Sequence, residues 1–226
     1  MRLLRNLADS GRAGSAASRF RRRRVEWFES LLAEVPPPRR IVDVGGMPEF
    51  WERHGFAGRP DVEILVLNLF AQASSAPNIR CVVGDATAMP ELGDGSLDVA
   101  FSNSVIEHVG SLEQQRRMAA EVRRIAQRYF VQTPNRNFPI EPHFLLPGFQ
   151  FLPYRLQVGL LRTFPIVWNE RIRDRARAEA LVSEIRLMAA AELRACFPDA
   201  RIAREQFLGL TKSFVAYGGW QGRIGE

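Results

Sequence analysis

Asp43, Gly45 and Gly46 close the first apolar run of the chain, and the pattern recurs three times. Residues 62–67 lead to Asn68, residues 79–83 to Gly84 and Asp85, and residues 97–102 to Asn103 and Ser104. The first of these endings combines a carboxylate with two residues that lack Cβ, so a ligand can bring its polar atoms against bare backbone. Each run is strand-length and rich in Val, Ile or Leu, and each delivers a polar side chain at its carboxyl end, the edge at which open α/β sheets bind ligands. A Glu107-His108 pair follows the fourth run, and a proline-rich stretch with Asn135, Glu141 and His143 follows the fifth, residues 129–133.

The elements that must position these groups are spaced as an alternating α/β chain. The 226 residues, 46% of them hydrophobic, suit one α/β domain with additions and provide enough apolar surface for a core. Residues 19–35 carry Phe20, Trp27, Phe28, Leu31, Leu32 and Val35 at near-helical spacing and stop at Pro36-Pro37-Pro38. Pro48, Glu49 and Gly55 suit the start, first turn and exit of a short helix after the first strand, which makes His54 a surface histidine of its last turn. Residues 112–127 show an apolar face at Met118, Val122 and Ile125. Residues 169–179 read as an Arg-dense, solvated helical segment, and residues 189–197 as another amphipathic helix. Residues 200–207 and 211–216 read as a closing pair of strands around Gly209.

The net charge of +6 is concentrated at the amino end, where residues 1–40 hold ten Arg against Asp9, Glu26, Glu29 and Glu34. The remainder balances, which argues against a nucleic-acid partner. Arg21 to Arg24 have two readings, a solvated helix end and an electrostatic anchor for peripheral contact with an anionic membrane. Cys81 and Cys196 have neither metal spacing nor a paired framework, so both read as core thiols in a reducing compartment. No apolar leader core and no run long enough to span a bilayer is present, so a cytoplasmic location is expected.

The blocks 84–90, 94–99 and 103–109 resemble the small single-domain, type 11 group of class I S-adenosylmethionine-dependent methyltransferases. The similarity runs over about residues 40–135 and returns at 191–217. It implies a Rossmann-like, seven-stranded, mostly parallel α/β sheet with an antiparallel last strand and helices on both faces. Residues 1–38 would be a basic arm and helix, and 39–226 a methyltransferase domain with an apolar insertion at 138–178. The cofactor implied is S-adenosylmethionine. Asp43, Gly45 and Gly46 match the motif at its methionine part, Asn68 and Leu69 lie where the ribose is held, Asp85 and Ala86 where the adenine amino group is met, and Asn103 and Ser104 near the sulfonium.

The same resemblance places Asn135, Glu141 and His143 beside the acceptor, with His143 the candidate general base for a hydroxyl. Glu107 and His108 have competing readings: contact with cofactor or acceptor, a structural role, or part of a divalent-ion site like that of some ubiquinone-pathway O-methyltransferases. In the last of these a further Glu is expected where Ser104 stands, so no metal is expected. The expected function is methyl transfer to a small or lipid-linked acceptor, with O-methylation one form of it. Met47 and Glu49 occupy places where the family pattern has glycine, and they motivate the rival reading of a noncatalytic or membrane-surface interaction protein on the same sheet. A nicotinamide dehydrogenase is disfavoured, because no Gly-x-Gly-x-x-Gly follows the first strand. Oligomeric state is not legible.

Overall fold

A computed structural model describes residues 16–140, 143–144, 146–165 and 171–221. In chain order the elements are α1 (Ala16–Leu32), β1 (Arg39–Val44), α2 (Pro48–Arg53), β2 (Val62–Asn68), β3 (Ile79–Val83), β4 (Leu97–Asn103), a 3-10 turn (Ile106–His108), α3 (Leu112–Ile125) and β5 (Ala126–Pro134). A second 3-10 turn (Phe149–Phe151), α4 (Tyr154–Thr163), α5 (Arg175–Glu184), α6 (Ala190–Cys196), β6 (Arg201–Phe207) and β7 (Leu210–Gly218) complete it. The strands form one seven-stranded sheet in the order β3-β2-β1-β4-β5-β7-β6. Strands β1 to β5 pair in parallel, and β7 runs antiparallel to both β5 and β6. The expected sheet is the observed one.

Ile41 to Val44 are all buried because helices cover both faces of the sheet. Successive side chains of a strand point to opposite faces, and the two cores follow that alternation. Val42, Val44 and Ala100 join Met118, Val122 and Ile125 of α3 and Leu193 of α6. Ile41, Val99 and Phe101 join Val25, Phe28, Leu31 and Leu32 of α1 and Trp51 of α2. The second core is strongly aromatic. Phe28 meets Phe101 edge-on with ring centres 4.8 Å apart, and Trp51 meets Phe56 at 4.9 Å and Phe101 at 5.1 Å. Such pairs contribute roughly 0.5–1.5 kcal/mol each beyond the area they bury. Asp43 has the parity of Ile41, so its carboxylate is directed into this aromatic layer.

α3 begins with a reciprocal cap in which Ser111 Oγ accepts from Gln114 N and Gln114 Oε1 accepts from Ser111 N. The segment expected at residues 169–179 is displaced: residues 166–170 lie outside the described ones, and α5 starts at Arg175, where the Asp174 carboxylate accepts from Arg177 N at 2.7 Å. The insertion builds its own small core from Phe144, Phe149, Val158, Leu161, Ile172, Ala178 and Val182. It leaves Phe151, Tyr154, Leu156 and Phe164 largely exposed. Among the described residues no helix is long and apolar enough to cross a membrane.

At the basic helix end Arg24 is drawn inward. Arg22 and Arg23 are exposed, but Arg24 is buried, and its guanidinium donates to Glu205 Oε1 at 2.9 Å, to Glu205 Oε2 at 2.6 Å and to Asn103 Oδ1. α1 therefore spans from the end of β4 to β6, drawn inward by the apolar stripe that docks Val25 and Phe28. Helical spacing allowed this, but the charge run concealed it.

Candidate functional site

A cavity of about 630 Å³ opens at the carboxyl ends of β1 and β4. Its lining includes Asp43, Gly45, Gly46, Met47 and Glu49 from the first turn, and Phe101, Asn103, Ser104 and Val105 from the end of β4. Arg21 of α1 closes one side, with Phe50, Arg53 and His54.

The first turn is tightly built. Gly45 adopts φ +77°, and a Cβ there would stand 2.3 Å from a methyl of Val105. A Cβ on Gly46 would fall 1.7 Å from Asp43 Oδ2. Both positions therefore require glycine, for the backbone conformation in the first case and for space in both. Asn68 secures the turn from the next strand, its Nδ2 donating to the carbonyls of Gly46 at 2.8 Å and Gly45 at 3.2 Å, while its Oδ1 accepts from Leu69 N at 2.8 Å.

Asp43 is the electrostatic centre of the cavity. Its side chain is 1% exposed, Trp51 Nε1 donates to Oδ2 at 2.7 Å, and Oδ1 has no hydrogen-bond partner. Burial pushes its pKa up to about 7 against the opposing Trp51 bond. Across the cavity, burial and the neighbouring cations Arg24 and Arg53 lower the pKa of Arg21. His54 stacks obliquely on Phe50 with ring centres 4.8 Å apart, and burial, Arg21 and Arg53 lower its pKa. It is a half-buried wall of the cavity rather than the surface histidine expected, because α2 packs its last turn toward Arg21.

Ser104 is held at φ 58°, a conformation uncommon for a residue with a Cβ. Two bonds to Gln132 hold it there, from Ser104 N to the carbonyl at 3.0 Å and from Ser104 Oγ to Oε1 at 2.8 Å. Backbone strain of this kind concentrates at functional sites.

A family profile described as a methyltransferase domain matches residues 61–128. An uncharacterized protein of Mycobacterium tuberculosis strain H37Rv is 28% identical over 151 residues, 60% of this chain and 48% of that protein, and its counterpart in strain CDC 1551 matches equally. The chain thus spans about half the length of the curated relatives it matches.

Among solved structures, a carbon methyltransferase named CurJ superposes with a TM-score of 0.51 at 13% identity, over 82% of this chain and 50% of that one. A Haloferax volcanii chain described as a methyltransferase, solved with the Trm112 methyltransferase activator, gives 0.50 at 13%, over 87% and 89%. A Rhodobacter sphaeroides protein described as a Zn-dependent alcohol dehydrogenase gives 0.53 at 11%, over 84% and 86%. Similarity at these identities speaks to the fold, and the family profile speaks to the kind of domain. Residues 61–128 are thus similar to a methyltransferase domain, on a sheet whose fold is shared with methyltransferase structures.

On this frame the residues singled out in the sequence divide into groups. Asp43, Gly45, Gly46, Asn103 and Ser104 line one cavity. Leu69 and Ala86 lie just past the ends of β2 and β3; Leu69 is 72% exposed and Ala86 is buried. Asp85 forms a local turn, its Oδ1 accepting from Thr87 N and Thr87 Oγ1 at 2.8 Å each. The Asn68 amide is engaged by the glycine turn and Leu69 N.

The Asn135 amide is engaged within the fold. Its Nδ2 donates to Thr211 O at 2.7 Å and its Oδ1 accepts from Asn137 N at 3.0 Å, bonds that fasten the end of β5 to β7. Glu141 lies outside the described residues. Glu107, His108 and His143 come together, with one potential ligand atom from each lying within 4.8 Å of the others. Arg21, Phe50, Trp51 and Arg53 carried no motif signal; only the indole of Trp51, eight residues after Asp43, is close enough in sequence to have been suspected.

Proposed function

We propose that the domain binds S-adenosylmethionine in this cavity and transfers its methyl group to a small or lipid-linked acceptor. The observation that carries the reading is the buried, unpartnered Asp43 Oδ1 lining the same cavity as the partly buried Arg21. An amino acid zwitterion suits that pair, its ammonium meeting Asp43 and its carboxylate meeting Arg21. Gly45 and Gly46 leave the backbone bare beside it. Leu69 and Phe70, 72% and 55% exposed just past the end of β2, offer apolar surface to a purine, and the free edge of the Asp85 turn lies at the next strand.

The cofactor supplies an already activated methyl group, so the protein's task is alignment, exclusion of water and, for a hydroxyl acceptor, removal of a proton. The strained Ser104 and the Arg24-bound Asn103 make a fixed floor for that alignment. The His108 and His143 rings stand together at this end of the sheet, with Thr133 Oγ1 donating to Glu107 Oε2 at 3.0 Å beside them, so the group that meets the acceptor hydroxyl is expected there.

Calorimetric titration of the purified chain with S-adenosylmethionine tests the reading. Saturable 1:1 binding is expected, weakened about 10-fold or more by Arg21→Ala, since a hydrogen bond to a charged group contributes about 1.5–3 kcal/mol. Absence of heat at millimolar cofactor would sink it.

Exposed Phe151, Tyr154, Leu156 and Phe164 on the insertion favour a second property, contact with a membrane surface that would present a lipid-linked acceptor. Flotation with anionic vesicles should recover the chain, and Leu156→Ser with Phe164→Ser should reduce recovery severalfold. Equal recovery of parent and variant would remove the lipid surface from the reading.

A further inference from the structure

Glu107 and His108 sit in the 3-10 turn that follows β4, two residues beyond Val105 of the cavity wall, and His143 comes from the loop that leads into the insertion. The fold closes this gap of 35 residues. The rings of His108 and His143 stand nearly perpendicular, at 85°, with centres 4.9 Å apart. For two imidazoles on one ion, metal–nitrogen bonds of about 2.1 Å and ligand angles of about 90–109° place the ring centres roughly 4.6–5.3 Å apart. The observed separation falls inside that interval, and the carboxylate of Glu107 completes a set whose candidate ligand atoms are mutually within 4.8 Å.

Outer partners are also in place. Thr133 Oγ1 donates to Glu107 Oε2 at 3.0 Å and fixes that buried carboxylate. Glu184 Oε1 lies 3.6 Å from His108 Nδ1, placing a carboxylate behind the imidazole as in carboxylate–histidine–metal arrangements. The Glu107 backbone is anchored as well, its carbonyl accepting from Arg186 N at 2.8 Å. The buried carboxylate of Glu107 and the half-buried ring of His108 are thus supported from β5, α5 and the segment after it.

We propose that Glu107, His108 and His143 form a binding site for a first-row divalent transition-metal ion. Two imidazoles and one carboxylate are the donor set of zinc, cobalt, nickel, manganese and iron(II), while magnesium and calcium seek an all-oxygen shell. Ser104, where a further carboxylate was sought, therefore bears on a hard ion and not on this one. Three protein ligands leave coordination positions for water or an acceptor oxygen, as in catalytic rather than structural sites. Under the methyl-transfer reading, and resting on it, the ion would bind the acceptor hydroxyl and lower its pKa, so that the proton passes to solvent and the two histidines serve as ligands.

The test uses the tag-free 226-residue chain stripped with chelator and titrated with cobalt(II) chloride and zinc chloride, without S-adenosylmethionine, so its outcome is independent of cofactor binding. Expected are one equivalent of bound ion, visible absorption bands with cobalt, and displacement of cobalt by zinc. His143→Ala and His108→Ala should weaken binding by more than the roughly 10- to 100-fold that loss of an outer partner brings. Glu107→Gln keeps the acceptor for Thr133 and should weaken it similarly, with circular dichroism showing an intact fold. His54→Ala should leave metal affinity unchanged. No saturable binding by the parent, or binding that survives both His143→Ala and His108→Ala, overturns the proposal.

Discussion

Replacing Asp43 by Asn should give a protein that is more stable at neutral pH and bound weakly, if at all, by the proposed cofactor. In the fold this carboxyl titrates near pH 7, against 3.8 for an ordinary aspartate. Below the unfolded value both states hold the proton and no cost arises. As pH rises from about 4 to about 7 the unfolded chain releases its proton while the fold retains it, so stability falls. Above the folded value the loss levels off at about 4 kcal/mol, from about 1.36 kcal/mol per pKa unit. Thermal or urea unfolding of the parent across that window should show the decline. The Asn variant, which keeps an acceptor for Trp51 Nε1, should show a flatter profile.

The same ionisation predicts how binding responds to pH. If an ammonium group meets ionised Asp43, the affinity of S-adenosylmethionine should rise up to about tenfold per pH unit below 7 and level off above it. At pH 8 the Asn variant should lose about 1.5–3 kcal/mol of binding, roughly 10- to 150-fold. Equal affinity of parent and variant at that pH would remove Asp43 from the ammonium role. The site therefore sacrifices stability for a buried charge, which is common where a ligand later supplies the counter-ion.

Arg24→Ala should destabilise the fold far more than loss of the exposed Arg22 or Arg23, although the sequence presents Arg24 as one of four consecutive arginines. The side chains of Arg24 and Glu205 are 6% and 14% exposed, and Ser213 Oγ also donates to Glu205. Removing one partner of such a pair leaves the other charge buried, at a loss of about 3–5 kcal/mol. Burial alone would raise the Glu205 pKa, but Arg24, Ser213 and Lys212 bring it below the usual glutamate value.

The parent's contribution from Glu205 is present above the unfolded pKa and disappears as pH falls through the folded one. The variant's deficit should accordingly be largest near neutrality and shrink toward acid, as Glu205 takes up a proton. Urea denaturation of parent and variant at several pH values measures this. Arg24→Met combined with Glu205→Leu should recover most of the loss. A loss below about 1 kcal/mol for Arg24→Ala at pH 7 would mean the pair behaves as an ordinary solvated surface bridge.

The sheet was legible because strand signals are local. Each of the runs ending at Asp43, Asn68, Gly84 and Asn103 carries its own apolar pattern, turn residues and polar terminus, and parallel pairing then brings those termini to one edge. Element limits shifted by a few residues where a cap decides them, as at Asp174. Asn68 and Asn135 were selected as polar residues at strand ends. Their amides are instead spent on nearby backbone groups, because short amide side chains at turns satisfy local donors and acceptors first.

What the sequence determined by itself is the sheet, its polar carboxyl edge and the carboxylate–glycine turn at Asp43, since all three follow from residue types within a few positions of one another. Only the tertiary structure decided that Arg21 and Arg24 turn inward, that Trp51 holds one oxygen of Asp43 while the other stays unpartnered, and that His143 reaches Glu107 and His108. Apart from the Trp51 bond, those are contacts between distant segments. Their geometry is set by how α1 and the insertion pack on the sheet, and helical or strand periodicity holds no record of it.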